Sequence, residues 1–198
     1  KEYRRQRQMC IRDSTSTGGS VARIVTAGPD TDLEKIEYTM LQAITLARRQ
    51  VRVMTPYFLP GSRVMSELAL AALRGVQVDV VIPRRSNHPP LDWACAANIA
   101  PLLDAGVRVW MVNPPFNHSK LMVVDRAWSF FGSSNLDIRS LRLNFEINME
   151  TYDVVMAETL DDFICHHRNR RLTHHDLDKR NKLIQIRDAA ARLFMPYL

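Results

Sequence analysis

His118 and Lys120 stand two residues apart, followed by Asp125 and then by Gly132, Ser133 and Asn135, in the pattern H-x-K-x4-D-x6-G-S-x-N. An imidazole can act as a nucleophile or as a proton donor. A lysine two positions along an extended segment shares its face and sets a positive charge beside it. Gly132 lets backbone approach closely, and Ser133 and Asn135 add neutral donors ahead of an expected helix start, a setting that favours an anion. These are the parts that metal-free cleavage of a phosphodiester requires: a nucleophile, a proton donor for the leaving alkoxide, and donors on the non-bridging oxygens. Taken singly, His118 and Lys120 would read as an ordinary strand histidine and a solvated lysine. Six fixed residue types at fixed spacing arise by chance at about one in 10^7 to 10^8 start positions, so the pattern outweighs that reading. Asp125 is the exception, because an aspartate ending an apolar strand ordinarily forms a turn.

The elements that must position these residues follow a regular punctuation from Val21 onward. Short apolar runs at 21–25, 51–55, 76–82 and 107–112 predict strands, and their continuous apolar character suits strands covered on both faces. Between them, Leu33, Ile36, Met40, Ile44 and Ala47 recur at helical spacing after a Thr31/Glu34 capping box. Ser62 opens a second helix carrying Val64, Leu68 and Ala71 and stopped by Gly75, and a third runs over 91–105 to Gly106. The segment 118–125 reads as a strand, Asp125-Arg126-Ala127 as a hairpin turn, and 128–131 as the return strand. A short helix is expected over 136–141, a last strand over 145–151, and helices over 153–170 and 182–198. Alternation around Phe145, Ile147 and Met149 predicts an outward-facing Glu146. The fold class is therefore α/β, a sandwich with a mixed central sheet flanked by helices, whose ligand loops lie beyond the strand ends.

The motif resembles that of the phospholipase D superfamily. Thr55-Pro56-Tyr57-Phe58-x-Pro60, Arg74-Gly75-Val76-x-Val78, Val81-Ile82-Pro83 and Ala105-Gly106-Val107 are similar to the second half of bacterial cardiolipin synthases. So is Asn135-Leu136-Asp137-x-Arg139-Ser140-Leu141-x-Leu143-Asn144-Phe145-Glu146, and the resemblance spans roughly residues 21–198. It implies phosphatidyl transfer in cardiolipin synthesis through a phosphohistidine, with His118, Lys120 and Asp125 as catalytic-motif residues. It also implies Lys120, Ser133 and Asn135 as phosphate ligands and Glu146 as the residue orienting the imidazole of the other half. Asp125 has a mainly structural role in that family. Phospholipid substrates, phosphatidylglycerol among them, and peripheral contact with the bacterial inner membrane follow, with no cofactor and no metal. That family packs two such motifs around one site, whereas this chain carries one. The resemblance thus implies one half of a pseudo-two-fold bilobal enzyme, the C-terminal one. Its partner is a missing N-terminal half or a second copy, and the chain is expected to be a fragment.

Composition narrows the alternatives. The chain has 198 residues, is 46% apolar and carries a net charge of +6, enough core for a folded domain and no uncharged stretch above 11 residues. Half of the net charge lies in residues 1–14, so the remainder is a weak attractor for nucleic acid, and a homodimeric nuclease is the second reading. Residues 1–20 read as an extraneous or disordered segment, 21–172 as the catalytic half-domain and 173–198 as an amphipathic helical tail. In that tail Leu183, Ile186, Ala190, Leu193 and Phe194 form a stripe beside Arg187 and Arg192, suited to packing on the core or to a membrane interface. Three widely spaced cysteines, Cys10, Cys95 and Cys165, form no disulfide framework. Cys165-His166-His167 and His174-His175 read as a solvated basic helix end rather than a metal site, since adjacent helical residues diverge by about 100°.

Overall fold

The computed structural model describes residues 19–30 and 32–193. The opening segment 1–18, the capping residue Thr31 and Phe194 lie outside the described residues. Ten strands and eight helices alternate along the described chain: β1 (Ala22–Ala27), α1 (Lys35–Leu46), β2 (Gln50–Met54), β3 (Phe58–Leu59), α2 (Ser62–Leu73), β4 (Gln77–Pro83), α3 (Pro89–Asn98), α4 (Ala100–Asp104) and β5 (Arg108–Val112). They continue as β6 (Leu121–Val124), β7 (Trp128–Gly132), β8 (Leu136–Asp137), α5 (Ile138–Arg142), β9 (Glu146–Thr151), α6 (Val154–His166), β10 (Arg170–Arg171), α7 (His174–Asp178) and α8 (Lys182–Leu193).

Eight strands form one mixed sheet in the order β1-β9-β7-β6-β2-β4-β5-β10, and β3 pairs with β8 separately. The central β2, β4 and β5 run parallel, as crossovers through α2 and through α3–α4 demand. Strand alternation then divides the core. Val51, Val53, Val78, Val80 and Val109 face one layer, where Ile36, Met40 and Ile44 of α1 and Val64, Leu68 and Ala71 of α2 meet them. Met54, Val81, Val112 and Val123 face the other layer, closed by Ala157 and Ile164 of α6. Each such side chain contributes roughly 1.5–3 kcal/mol by leaving water. The expected helix-flanked mixed sheet is thus the observed architecture.

Local departures have physical reasons. The single helix expected over 91–105 is two, because Pro101 lacks an N–H and crowds the preceding turn. The helix expected to 170 ends at His166, and Arg170–Arg171 pair instead with Trp110 and Met111 of β5. Helix α1 starts at Lys35 behind Glu34, which takes a left-handed conformation. The β6 strand begins only at Leu121, so His118 and Lys120 precede the sheet rather than lie within it. The outward orientation expected of Glu146 is reversed: Glu146 is buried, while Phe145 (74% exposed) and Ile147 (54%) face out. Its carboxylate is drawn inward by the donors of Ser133 and Asn144. Helix α8 is no free tail. It lies along α3, with Asp188 buried and Arg187 stacked 4.2 Å over the Trp93 ring.

Candidate active site

The parallel strands β2, β4 and β5 all end at one edge of the sheet, and the loops leaving them carry Tyr57, His88 and His118. The antiparallel β7 arrives at the same edge with Gly132, and β9 departs from it at Glu146. The sheet therefore gathers residues 57, 88, 118–120 and 132–146 at one end, where an open α/β sheet places its ligand crevice.

Lys120 Nζ lies 2.9 Å from His118 Nδ1 and donates to the His118 carbonyl at 2.8 Å. Two rings hold the imidazole from its other sides. Tyr57 meets it edge-on at 5.8 Å and Phe116 lies at 5.7 Å. His118 itself remains exposed. Partial desolvation, and then the like charge of Lys120, push its pKa below the ordinary histidine value. Lys120 is likewise lowered by desolvation, an effect that Glu146 and Asp137 oppose. Both shifts favour the uncharged forms, and the carboxyl groups of Glu146 and Asp137 work against that at Lys120.

A second layer surrounds that pair. The Ser133 hydroxyl donates to Glu146, accepts from Ile147 N at 3.0 Å, and Ser133 N donates to the Ile147 carbonyl at 2.9 Å. Asn135 Nδ2 donates to Ser140 Oγ at 3.2 Å, and its Oδ1 is buried without a partner. The Ser133 hydroxyl is thus held by Glu146, and one N–H of the Asn135 amide by Ser140. Asp137 caps α5, accepting from Ser140 N at 2.6 Å, and burial raises its pKa from the ordinary carboxyl value. Gly132 lies flat against β9: a Cβ there would collide with the Ile147 carbonyl and the Asn148 amide, so no other residue fits.

Asp125 stands apart. It follows the far end of β6, in the three-residue turn to β7, where it and Arg126 both have positive φ. Its carboxylate accepts the backbone N–H groups of Arg48 (2.9 Å), Arg49 (2.8 Å) and Gln50 (2.8 Å). In this way it ties the α1–β2 connection to the β6–β7 turn. Within this chain the Glu146 carboxylate accepts from Ser133 and Asn144.

Tyr57, His88, Asp137, Arg139, Ser140 and Asn144 were given no role on sequence grounds. Together with Asn135, Pro90 and Leu91 they line a cleft of about 370 Å³ beside His118. The signal that could have found most of them is the Asn135–Glu146 run, whose spacing follows α5 and its flanks. The Cys165/His166/His167 segment gathers nothing. Among the described residues no group of three or more His, Cys, Asp or Glu side chains is placed to share a metal ion.

Residues 40–167 match the family model described as "Cardiolipin synthase, PLD-like domain". The cardiolipin synthase 2 of Staphylococcus epidermidis is 35% identical over 185 residues, covering 92% of this chain and 38% of that protein. The major cardiolipin synthase of Bacillus subtilis is 35% identical over 181 residues, covering 89% and 37%. The chain therefore spans a little over a third of the length of the curated relatives it matches. Among solved structures, the phosphatidylserine synthase of Haemophilus influenzae superposes with a TM-score of 0.71 at 14% identity, over 99% of this chain and 53% of that one. The phospholipase D family member Nuc of Salmonella typhimurium gives 0.67 at 21% identity, over 77% and 98%. These two likenesses concern the fold. The family match takes in both the sheet edge and the residues gathered on it, and so places this chain among the phospholipase D-like domains of the cardiolipin synthase family.

Proposed function

We propose that this chain supplies one histidine–lysine half of a phosphatidyltransferase of phospholipid synthesis, of cardiolipin-synthase type. The observation that carries the reading is the His118–Lys120 pair at the open sheet edge. Its lowered pKa keeps His118 neutral near pH 7, the form with a lone pair to donate. In the first step a ring nitrogen bearing no hydrogen attacks the phosphorus of a phospholipid. The phosphorus–oxygen bond to the leaving alcohol breaks, and a second histidine, from another copy of the motif, protonates that alkoxide. In the second step that histidine takes the proton of an acceptor alcohol, whose oxygen attacks phosphorus and releases His118. Lys120 turns from the imidazole to the non-bridging oxygens and stabilises the charge that builds there. Asp125 acts as a positioning residue for the hairpin, and Glu146 as one for Ser133. Phosphatidylglycerol is the alcohol that fits this reading, and the partner is a second motif-bearing half.

Peripheral contact with the bacterial membrane is supported by α8. The inner face of this helix is Asp188 and Ala191, which leaves Leu183 (73% exposed) and Ile186 (65%) on its outer face beside Lys182. No helix among the described residues is long and apolar enough to cross a membrane. The nuclease reading has less support, since the sequence relatives above are cardiolipin synthases. The test is a transfer assay on the assembled enzyme with labelled phosphatidylglycerol. Replacing His118 by Asn abolishes product and acid-labile label on protein, and wild-type turnover in H118N overturns the assignment.

A further inference from the structure

The cleft beside His118 contains two groups that the transfer chemistry leaves unused. Asn135 Oδ1 is buried and has no partner, a state that calls for a donor. Arg139 lines the same cleft, and its guanidinium has no hydrogen bond or ion pair among the described residues, whereas its neighbour in α5, Arg142, is paired with Glu34. An unpaired guanidinium presents a planar fork that matches a phosphate, and an orphan amide oxygen matches a hydroxyl. The acid on the cleft wall does not oppose an anion strongly. Asp137 has its carboxyl occupied by the Ser140 backbone and hydroxyl, and burial pushes its pKa upward. Tyr57 is the partition between this cleft and the reacting centre. Its ring centroid lies 5.8 Å from that of His118 and 5.6 Å from that of His88. The volume of about 370 Å³ lies within the usual range for small-molecule sites of roughly 300–1,000 Å³.

We infer that this cleft is the subsite for the acceptor alcohol, and that it recognises a glycerophosphate headgroup. Arg139 grips the acceptor's own phosphate, Asn135 Oδ1 accepts a hydrogen bond from a glycerol hydroxyl, and the free end of the glycerol passes Tyr57 toward His118. The inference rests on the phosphatidyl-transfer reading of the site and adds that the enzyme holds two phosphates at once. One is the reacting phosphate at His118 and Lys120, the other the spectator at Arg139. It also explains a choice of acceptor: an alcohol without a phosphate finds no partner for the fork.

The two histidines give separate readouts of the two positions. Nuclear magnetic resonance of the imidazoles follows the chain during titration with glycerophosphoglycerol and, separately, with inorganic phosphate. Glycerophosphoglycerol is expected to shift the His88 signals, and inorganic phosphate those of His118. Arg139→Gln weakens the His88 response about tenfold or more, while Arg139→Lys, which keeps charge but not the fork, falls between. The response of His118 to inorganic phosphate persists in both variants. Wild-type affinity for glycerophosphoglycerol in Arg139→Gln, with His118 still responding to phosphate, overturns the subsite and leaves the transfer reading standing. A silent His118 with an Arg139-dependent His88 response overturns the transfer reading and with it the acceptor role, leaving only a glycerophosphate site at Arg139. Circular dichroism of each variant establishes that a lost response is not lost folding.

Discussion

At the scale of single residues, the chemistry turns on how one ammonium group modifies one imidazole. Lys120 lies against His118 Nδ1, and both are partly withdrawn from water. Desolvation is the larger cause of the lowered His118 pKa and the lysine charge the smaller. Lys120→Met is therefore expected to raise the His118 pKa toward, but not up to, the ordinary value near 6.5, because desolvation stays. A proton titration of the imidazole by magnetic resonance checks this, and an unchanged or lower pKa in the variant contradicts it. The same sign governs pH stability. Just below pH 6.5 the unfolded chain binds a proton that the folded His118 does not, so acidification through that range favours unfolding, and the contribution is complete above it. The residue scale was also the most legible in the sequence. His118 and Lys120 are marked by type and spacing, and those survive any local bend of the backbone. Ser133, Asn135 and Asp125 are marked by the same motif, yet their partners Glu146, Ser140 and the Arg48–Gln50 backbone come from distant or irregular segments that no spacing encodes.

Elements rather than residues decide whether that pair is held still. On the sheet layer away from α1, a buried ionic cluster joins β2, β4 and β5 to α6. Asp79, fully buried, accepts from Arg52, from Arg108 at 2.7 Å, from Trp110 Nε1 at 2.8 Å and from Arg168 at 3.0 Å, and Arg52 also reaches Asp161 at 2.7 Å. Removing the shared acceptor strands buried charge, so Asp79→Ala is expected to lower stability by about 3–5 kcal/mol in urea denaturation. Arg168→Ala removes only a partly exposed partner and is expected to cost about 1 kcal/mol or less. Equal losses would mean that the cluster is not organised around Asp79. The apolar strands and the α1 and α2 stripes were readable because period and burial coincide there. This cluster was not, since Arg52 and Asp79 interrupt apolar runs as if they faced solvent. The face by which helix α8 packs was hidden for a related reason. Its apolar stripe was a candidate for burial, but the buried face is one position away, through Asp188 and Ala191. Leu183→Ser together with Ile186→Ser is thus expected to leave the melting temperature nearly unchanged while reducing co-sedimentation with anionic phospholipid vesicles. Undiminished sedimentation would remove α8 from the membrane contact.

For the whole molecule the question is how many histidines one site contains. Transfer in two steps needs an attacking imidazole and a second group that first gives and then takes a proton. The described chain places one histidine of an H-x-K pair at its sheet edge. His88 is the other histidine near it, and it lies behind Tyr57 with no lysine beside it. Carboxyl groups do not fill the gap, since Asp137 is committed to Ser140 and Glu146 to Ser133 and Asn144. On the proposed transfer reading, the exposed His118 face is a surface that becomes a site when another motif-bearing domain closes on it, excluding water and strengthening Lys120 against the phosphate. Turnover is accordingly expected to depend on assembly. For the chain by itself, specific activity should rise with protein concentration if two copies pair, or stay absent until a domain bearing the second motif is added. In mixtures of wild-type and H118N chains, activity should fall as the square of the wild-type fraction if two copies share the site. A linear fall, with a sedimentation coefficient of a monomer and full transfer activity, would show that one motif suffices and would require a proton donor other than a second histidine.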